Sequence, residues 1–260
     1  GRVGARLGEM PKSVREGTLF RVTGLLYEVQ GLPMSIGERA TVSLGPDQAI
    51  EAECIGFNSG ITYLMPIDPV DSVTPGASVY PIGTPYFEGD RFRVLSSSRS
   101  LPLGEALLGR IVDGFGRPID EKGIDSDAVA GVPTRRVNPL HRAPIHEPMD
   151  SGVRAINGTL TVGRGQRIGI FAGSGVGKSV LLGMLARNCV ADVMVIGLVG
   201  ERGREVREFC MDTLGESTLG RSVVVAAPAD ASPLARVRGA YDATDVATRF
   251  RDQGRHVVLI

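Results

Sequence analysis

The 260 residues exceed the ~100–200 usual for one domain, so two domains or one large one are expected. With 42% hydrophobic and 22% charged residues, 29 basic residues against 29 acidic ones, and 35 glycines, the chain is expected to be folded and soluble. The same figures exclude global disorder, an all-helical bundle and a protein that coats nucleic acid through net charge. Residues 1–17 read as an N-terminal tail with no apolar signal-peptide run. From 18 to 85 the runs LFRVTGLLYEVQGLP, ATVSL, AIEAECIGF and ITYLMP, punctuated by the turns Gly45-Pro46-Asp47 and Asn58-Ser59-Gly60, predict five or six short strands in a small β barrel or sandwich. Its exposed-looking strand positions carry Glu28, Glu51 and Glu53 rather than interleaved arginine and aromatics, which favours a structural or assembly role over oligonucleotide binding. Residues 86–149, rich in Gly, Pro, Ser and Asp, read as an ordered connector leading into the next domain, too polar to form a core of their own.

After Asp150 strand and helix alternate strictly. RIGIF (167–171) is followed by a helix from Lys178, VMVIGLV (193–199) by a helix from Arg204, SVVVAA (222–227) by a helix from Pro233, and HVVLI ends the chain. Apolar β runs separated by helices predict a parallel sheet covered on both faces, an α/β domain over 150–260. Ser232 is placed to cap the last helix with Pro233 in its first turn. Leu234, Val237, Tyr241 and Phe250 are expected to be its core stripe. Cys54, Cys189 and Cys210 lack C-x-x-C spacing, which argues against a disulfide framework or zinc site and for a reducing, cytoplasmic setting. The longest strongly apolar stretch, 193–199, falls far short of the ~18 residues of a spanning helix.

Chemistry enters at Ala172-Gly173-Ser174-Gly175-Val176-Gly177-Lys178-Ser179, between an apolar β run and the helical run VLLGMLARN. This is the strand, glycine loop and helix order of a P-loop. Backbone N–H groups of Gly173, Ser174, Gly175, Val176, Gly177, Lys178, Ser179 and Val180 would converge with the helix N-terminus on the phosphates of ATP. Lys178 adds a point charge, and the Ser179 hydroxyl is the candidate Mg²⁺ ligand. The strict pattern asks for glycine at Ala172, a difference that removes none of the cradle amides.

The loop Gly200-Glu201-Arg202-Gly203-Arg204-Glu205 falls at the same C-terminal edge of the sheet, where ligands sit in such folds. Glu201 is the candidate base that orients and polarises an attacking water, and Arg202 is placed to neutralise phosphate charge or anchor the loop. The alternative is that this charge run only caps the following helix. Glu205 fits that alternative better than Glu201 does.

The segments AGSGVGKS, GERGREVREF and DSGVRAINGTLTVGRGQRIGIF together resemble the catalytic ATPases of type III protein export, relatives of the catalytic subunits of rotary ATP synthases. GLPMSIGE (31–38), GEALLGRIVDGFGRPID (104–120) and APADASPLARVRGAYDATDVATRFRDQGRHVVLI (227–260) extend the likeness from about residue 20 to the C-terminus. GLPMSIGE and AGSGVGKS look like the flagellar branch. The resemblance implies a RecA-like P-loop sheet domain, incomplete here, preceded by a small all-β barrel that rings a homo-hexamer. It also implies Mg²⁺-ATP as substrate, with Lys178 and Ser179 on phosphate and Mg²⁺ and Glu201 activating water. As partners it implies export-apparatus proteins, regulator and stalk subunits and chaperone–substrate complexes at the inner-membrane export gate, and no nucleic acid.

One departure stands at the end. HVVLI resembles the strand leading to the Walker B aspartate, but the sequence closes at Ile260 before that residue. The chain is therefore expected to be a C-terminally truncated form with little activity alone. Three other readings stay open: the catalytic subunit of a rotary synthase or ion pump, a Rho-like nucleic-acid translocase, and a nucleotide-binding module without turnover.

Overall fold

Alternating apolar residues between 17 and 81 give each strand one inward face. The computed structural model, described over residues 15–45, 48–68, 72–82, 85–88, 91–94, 104–123, 140, 142–173 and 175–260, closes them into a barrel. Strands β1 (Gly17–Thr23), β2 (Leu26–Gln30), β3 (Arg39–Gly45), β4 (Gln48–Asn58), β5 (Ile61–Pro66) and β6 (Ser78–Pro81) run antiparallel in the order β1-β2-β5-β4-β3-β6, and β6 returns to β1. Closure leaves no open edge. Leu19, Val29, Ala40, Val42, Ala52, Cys54, Leu64 and Val79 fill the interior with no solvent exposure. A hairpin of β7 (Pro85–Glu88) and β8 (Arg91–Val94) belongs to the same compact unit, 1–98.

Glu28 and Glu53 depart from expectation. Only Glu51 of the three acidic positions is exposed, while Glu28 and Glu53 are buried. Arg21 donates from both Nε and Nη2 to Glu28, and Arg39 lies beside Glu53. The arginine stems cover the carboxylates, which alternation alone does not reveal. The tail residues 1–14, the Pro46-Asp47 turn and the connector stretches 95–103 and 124–139 lie outside the described residues.

The second compact unit, 99–260, is built on a parallel sheet. Its strands are β9 (Arg110–Asp113), β10 (Val193–Val199), β11 (Ser222–Ala227) and β12 (Val257–Leu259), in the order β12-β10-β11-β9. β9 comes from the polar connector, whose Leu107, Ile111, Val112 and Phe115 are buried. Successive residues of β10 and β11 face opposite sides. Met194, Ile196, Val224 and Ala226 pack against Ala186 of helix α2 (Lys178–Asn188) and against Phe209, Cys210 and Leu214. Val193, Val195, Val223 and Val225 pack against Ala243, Val246 and Phe250 of helix α5 (Pro233–Asp252). Three shorter helices, α1 (Arg154–Thr159), α3 (Gly203–Glu208) and α4 (Gly215–Leu219), complete the unit, with a π-helical stretch at Phe209–Leu214 joining α3 to α4.

Two expectations change here. RIGIF forms no strand: residues 166–173 carry no ladder, Ile168 is half exposed and Phe171 almost wholly so. A β strand exists only through its neighbours' hydrogen bonds. β12 pairs with β10 alone, and a cleft of about 520 Å³ lies between β12 and residues 166–170. On α5, Ser232 caps as expected by accepting from Ala235 N at 3.2 Å, but the core stripe is shifted. Val237 and Tyr241 are exposed, and the buried face runs through Leu234, Ala235, Gly239, Ala243, Val246, Ala247 and Phe250. Leu234 and Phe250 are buried as expected, while between them the small residues Ala235, Gly239, Ala243 and Ala247 let the helix lie close to the sheet.

Helix α2 is held at its C-terminal end by Arg221. Its Nη2 donates to the carbonyls of Ala186 and Arg187 and its Nη1 to that of Ala191, satisfying C-terminal acceptors that a helix leaves open.

Candidate functional site

Helix α2 begins where the glycine loop ends. Gly177 is its N-cap at φ 96° and Gly175 stands at φ 76°, left-handed values that residues with a Cβ rarely adopt. The turn they make presents the first N–H groups of α2 to a cleft of about 500 Å³. Gly173, Gly175, Gly177, Lys178, Ser179 and Val180 line one side. Val176 is not among the lining residues and is exposed, and Ser174 lies outside the described residues.

The other side is the exit of β10: Gly200, Glu201, Arg202 and Glu205. Two backbone hydrogen bonds stitch this loop to the exit of β11, Gly200 N to Ala227 O at 2.8 Å and Ala229 N to Glu201 O at 2.9 Å. Gly200, at φ 79°, makes the turn that aims Glu201 back at the glycine loop. The Lys178 ammonium donates to Glu201 Oε1 at 3.1 Å, and Arg202 Nη1 donates to Glu205 Oε1 at 3.2 Å. Two cations and two carboxylates therefore meet beside a helix N-terminus, and their charges cancel in pairs.

The Glu201 side chain reaches Lys178 and makes no capping hydrogen bond to α3. Helix α3 starts at Gly203, one residue before the expected start, with Arg202 as its N-cap, and the acid in its first turn is Glu205. Glu205 thus has the first-turn place that favours an acid at a helix N-terminus. The structure places it on the cleft and on Arg202, a pairing whose one signal in the sequence is the i,i+3 spacing. The backbone strap from Ala227 to Ala229 has no sequence signal.

Ser179 stands one residue into α2 and faces the same cleft as the two carboxylates. A hydroxyl and carboxylate oxygens are hard donors of the kind Mg²⁺ takes with phosphate oxygens and water. Among the described residues no group of three or more His, Cys, Asp or Glu gathers as a metal site of its own. Cys54, Cys189 and Cys210 are buried and unbridged, and burial pushes the Cys210 thiol up to about 11. No helix of the described residues is long and apolar enough to cross a membrane.

A glycine loop between an apolar segment and a helix, with a carboxylate facing its lysine from the next strand's exit, defines a P-loop nucleotide-binding domain. Residues 152–260 match the nucleotide-binding domain of the ATP synthase alpha/beta family. The chain is 50% identical over 260 residues to the flagellum-specific ATP synthase of Salmonella typhimurium, covering 98% of this chain and 56% of that one. It is 43% identical over 250 residues to that of Bacillus subtilis, covering 95% and 54%. The solved structure of the assembled ATPase EscN from the type III secretion system of enteropathogenic E. coli aligns with a TM-score of 0.71 at 39% identity, over 94% of this chain and 55% of that one. Over nearly its whole length the chain is thus similar to flagellar and type III secretion ATPases. It spans about half the length of the curated relatives it matches.

Proposed function

We propose that the protein is an ATP-hydrolysing motor of type III, flagellar-branch protein export, driving chaperone release and delivery of unfolded export substrates. The observation that carries this reading is the 3.1 Å approach of Glu201 to Lys178 across the glycine loop. A carboxylate at that point is placed to serve turnover, by orienting a water, rather than binding alone.

In this reading the amides of the glycine loop and the first turn of α2 bind the β- and γ-phosphates, and Lys178 supplies a mobile positive charge. Ser179 would hold a Mg²⁺ ion arriving with the nucleotide, which would supply positive charge to the phosphates. Glu201 orients the attacking water and accepts its proton, while Arg202 adds positive charge beside the leaving phosphate. Residues 18–85 serve ring assembly, 86–149 connect and contribute β9, and 150–260 form the ATPase domain. The solved relatives include EscN with its central stalk EscO. By that likeness this protein works as a homo-hexamer on a stalk, cytoplasmic and peripheral at the export gate, with regulator, export-apparatus and chaperone–substrate partners.

The test is ATP turnover of the full-length protein with and without single-stranded RNA, beside an export assay in cells carrying Lys178→Ala. Turnover indifferent to RNA together with export lost in the variant is expected. RNA-dependent turnover, or export unchanged in the variant, would overturn the reading.

A further inference from the structure

Glu201 is the group that must meet water, yet as the side chains stand one of its carboxylate oxygens, Oε1, is taken by Lys178. The pair is a side-chain arrangement between two fixed backbones. Lys178 is the first residue of α2, and Glu201 is tied through its own carbonyl to Ala229 and through Gly200 to Ala227. Rotation about side-chain bonds alone can make or break it. Lys178 and Glu201 are 38% and 32% exposed, so water can replace either partner and the exchange is cheap. A terminal phosphate brings more charge than a carboxylate and three acceptor oxygens to the same ammonium. The cleft's other lining cation, Arg202, pairs with Glu205 instead, so Lys178 is the cation that Glu201 and a terminal phosphate share.

We propose that Glu201 and the terminal phosphate of a nucleoside triphosphate compete for Lys178, so that phosphate arrival releases the Glu201 carboxylate to the attacking water. The proposal rests on the ATP-site reading above. It makes the base available only when the group to be attacked is in place, without any movement of the backbone. No bond is formed or broken in the exchange: one charged acceptor replaces another on the same ammonium.

A double-mutant cycle tests it by equilibrium binding of a non-hydrolysable ATP analogue to the full chain, with ADP in parallel. Glu201→Gln should tighten the triphosphate about two- to fivefold, the range of a part-exposed ion pair, and ADP less. In a Lys178→Met background the same change should bring no gain. A gain that persists there would mean plain repulsion between Glu201 and phosphate, and would overturn the competition.

Where Lys178→Met binds too weakly to measure, NMR of the ¹⁵N-labelled lysine side chains decides. The chain has three lysines, Lys12, Lys122 and Lys178. The Lys178 ammonium signal should change on Glu201→Gln, and in the wild type on adding the analogue. A signal indifferent to Glu201→Gln defeats the proposal. A wild-type chain that binds neither nucleotide defeats the ATP-site reading and the proposal with it, whereas binding without a gain in Glu201→Gln defeats the proposal alone.

Discussion

Arg110 and Asp120 meet through two parallel hydrogen bonds, Nε to Oδ2 at 2.7 Å and Nη2 to Oδ1 at 2.9 Å, with 11% and 8% of their side chains exposed. Asp120 also accepts from the N–H groups of Ile111 and Lys122, which folds residues 114–119 back onto the edge strand β9. The Arg110 guanidinium holds the Asp120 carboxyl down to about 2, against the opposing pull of burial. A carboxyl lowered in the folded state stabilises it above the ordinary carboxylate range. That contribution is lost as pH falls from about 4 to about 2. Asp120→Asn should therefore cost roughly 2 kcal/mol at pH 7 and much less near pH 2. Urea unfolding midpoints at the two pH values check this, and an equal deficit at both would break the link to ionisation.

Gly183 lets α2 approach the π-helical stretch. A Cβ at that position would stand 2.1 Å from the Thr213 methyl. Alanine is the better helix former by about 1 kcal/mol, so propensity alone predicts a gain from Gly183→Ala. The contact should win, with a net loss of roughly 1–3 kcal/mol. Thr213→Ser removes the methyl and should restore most of it. Thermal unfolding of both single variants and the double variant reads the coupling directly.

What was legible in the sequence follows from how each element is held. VMVIGLV and SVVVAA lie inside the sheet with both faces covered, so their apolar runs name them. RIGIF has the same composition, but its strand state depends on a ladder that composition does not encode. On α5 the ends of the inner face, Leu234 and Phe250, were legible, but its middle was not, because Gly239, Ala243 and Ala247 make the close contact and carry little apolar signal, while Val237 and Tyr241 carry more and face solvent. At the cleft, the turn at Gly175 and Gly177 and the helix start at Lys178 were legible, because left-handed backbone and a helix N-terminus leave their mark in residue type. The Lys178–Glu201 pairing was not, since it depends on how the glycine loop and the exit of β10 converge.

Lys178→Ala in the full-length protein should weaken ATP binding and abolish turnover, because the cleft then keeps its amides but loses the mobile cation beside the terminal phosphate. Ser179→Ala should leave nucleotide binding without Mg²⁺ nearly unchanged and weaken the Mg²⁺ dependence. Titrations with and without Mg²⁺ separate the two variants. An unchanged rate in Lys178→Ala would remove the P-loop assignment.

Glu201→Gln separates a positioned base from a residue that merely serves the start of α3, because the two roles make opposite demands on charge and stability. The amide keeps the shape of the side chain but cannot take a proton from water. If Glu201 orients and deprotonates the nucleophile, turnover of the full-length protein should fall on the order of 10²-fold or more. ATP should still bind, at least as tightly as before, since the competitor for Lys178 has lost its charge. The thermal midpoint should hardly move, because the pair is partly exposed and the loop is held by the backbone bonds to Ala227 and Ala229. A helix-terminal charge would behave in reverse, costing roughly 0.3–1 kcal/mol of stability and leaving the rate nearly intact. ATP affinity, single-turnover rate and thermal midpoint of this one variant decide between them, and a rate within about threefold of wild type, a loss of under 1 kcal/mol in barrier terms, would defeat the catalytic role.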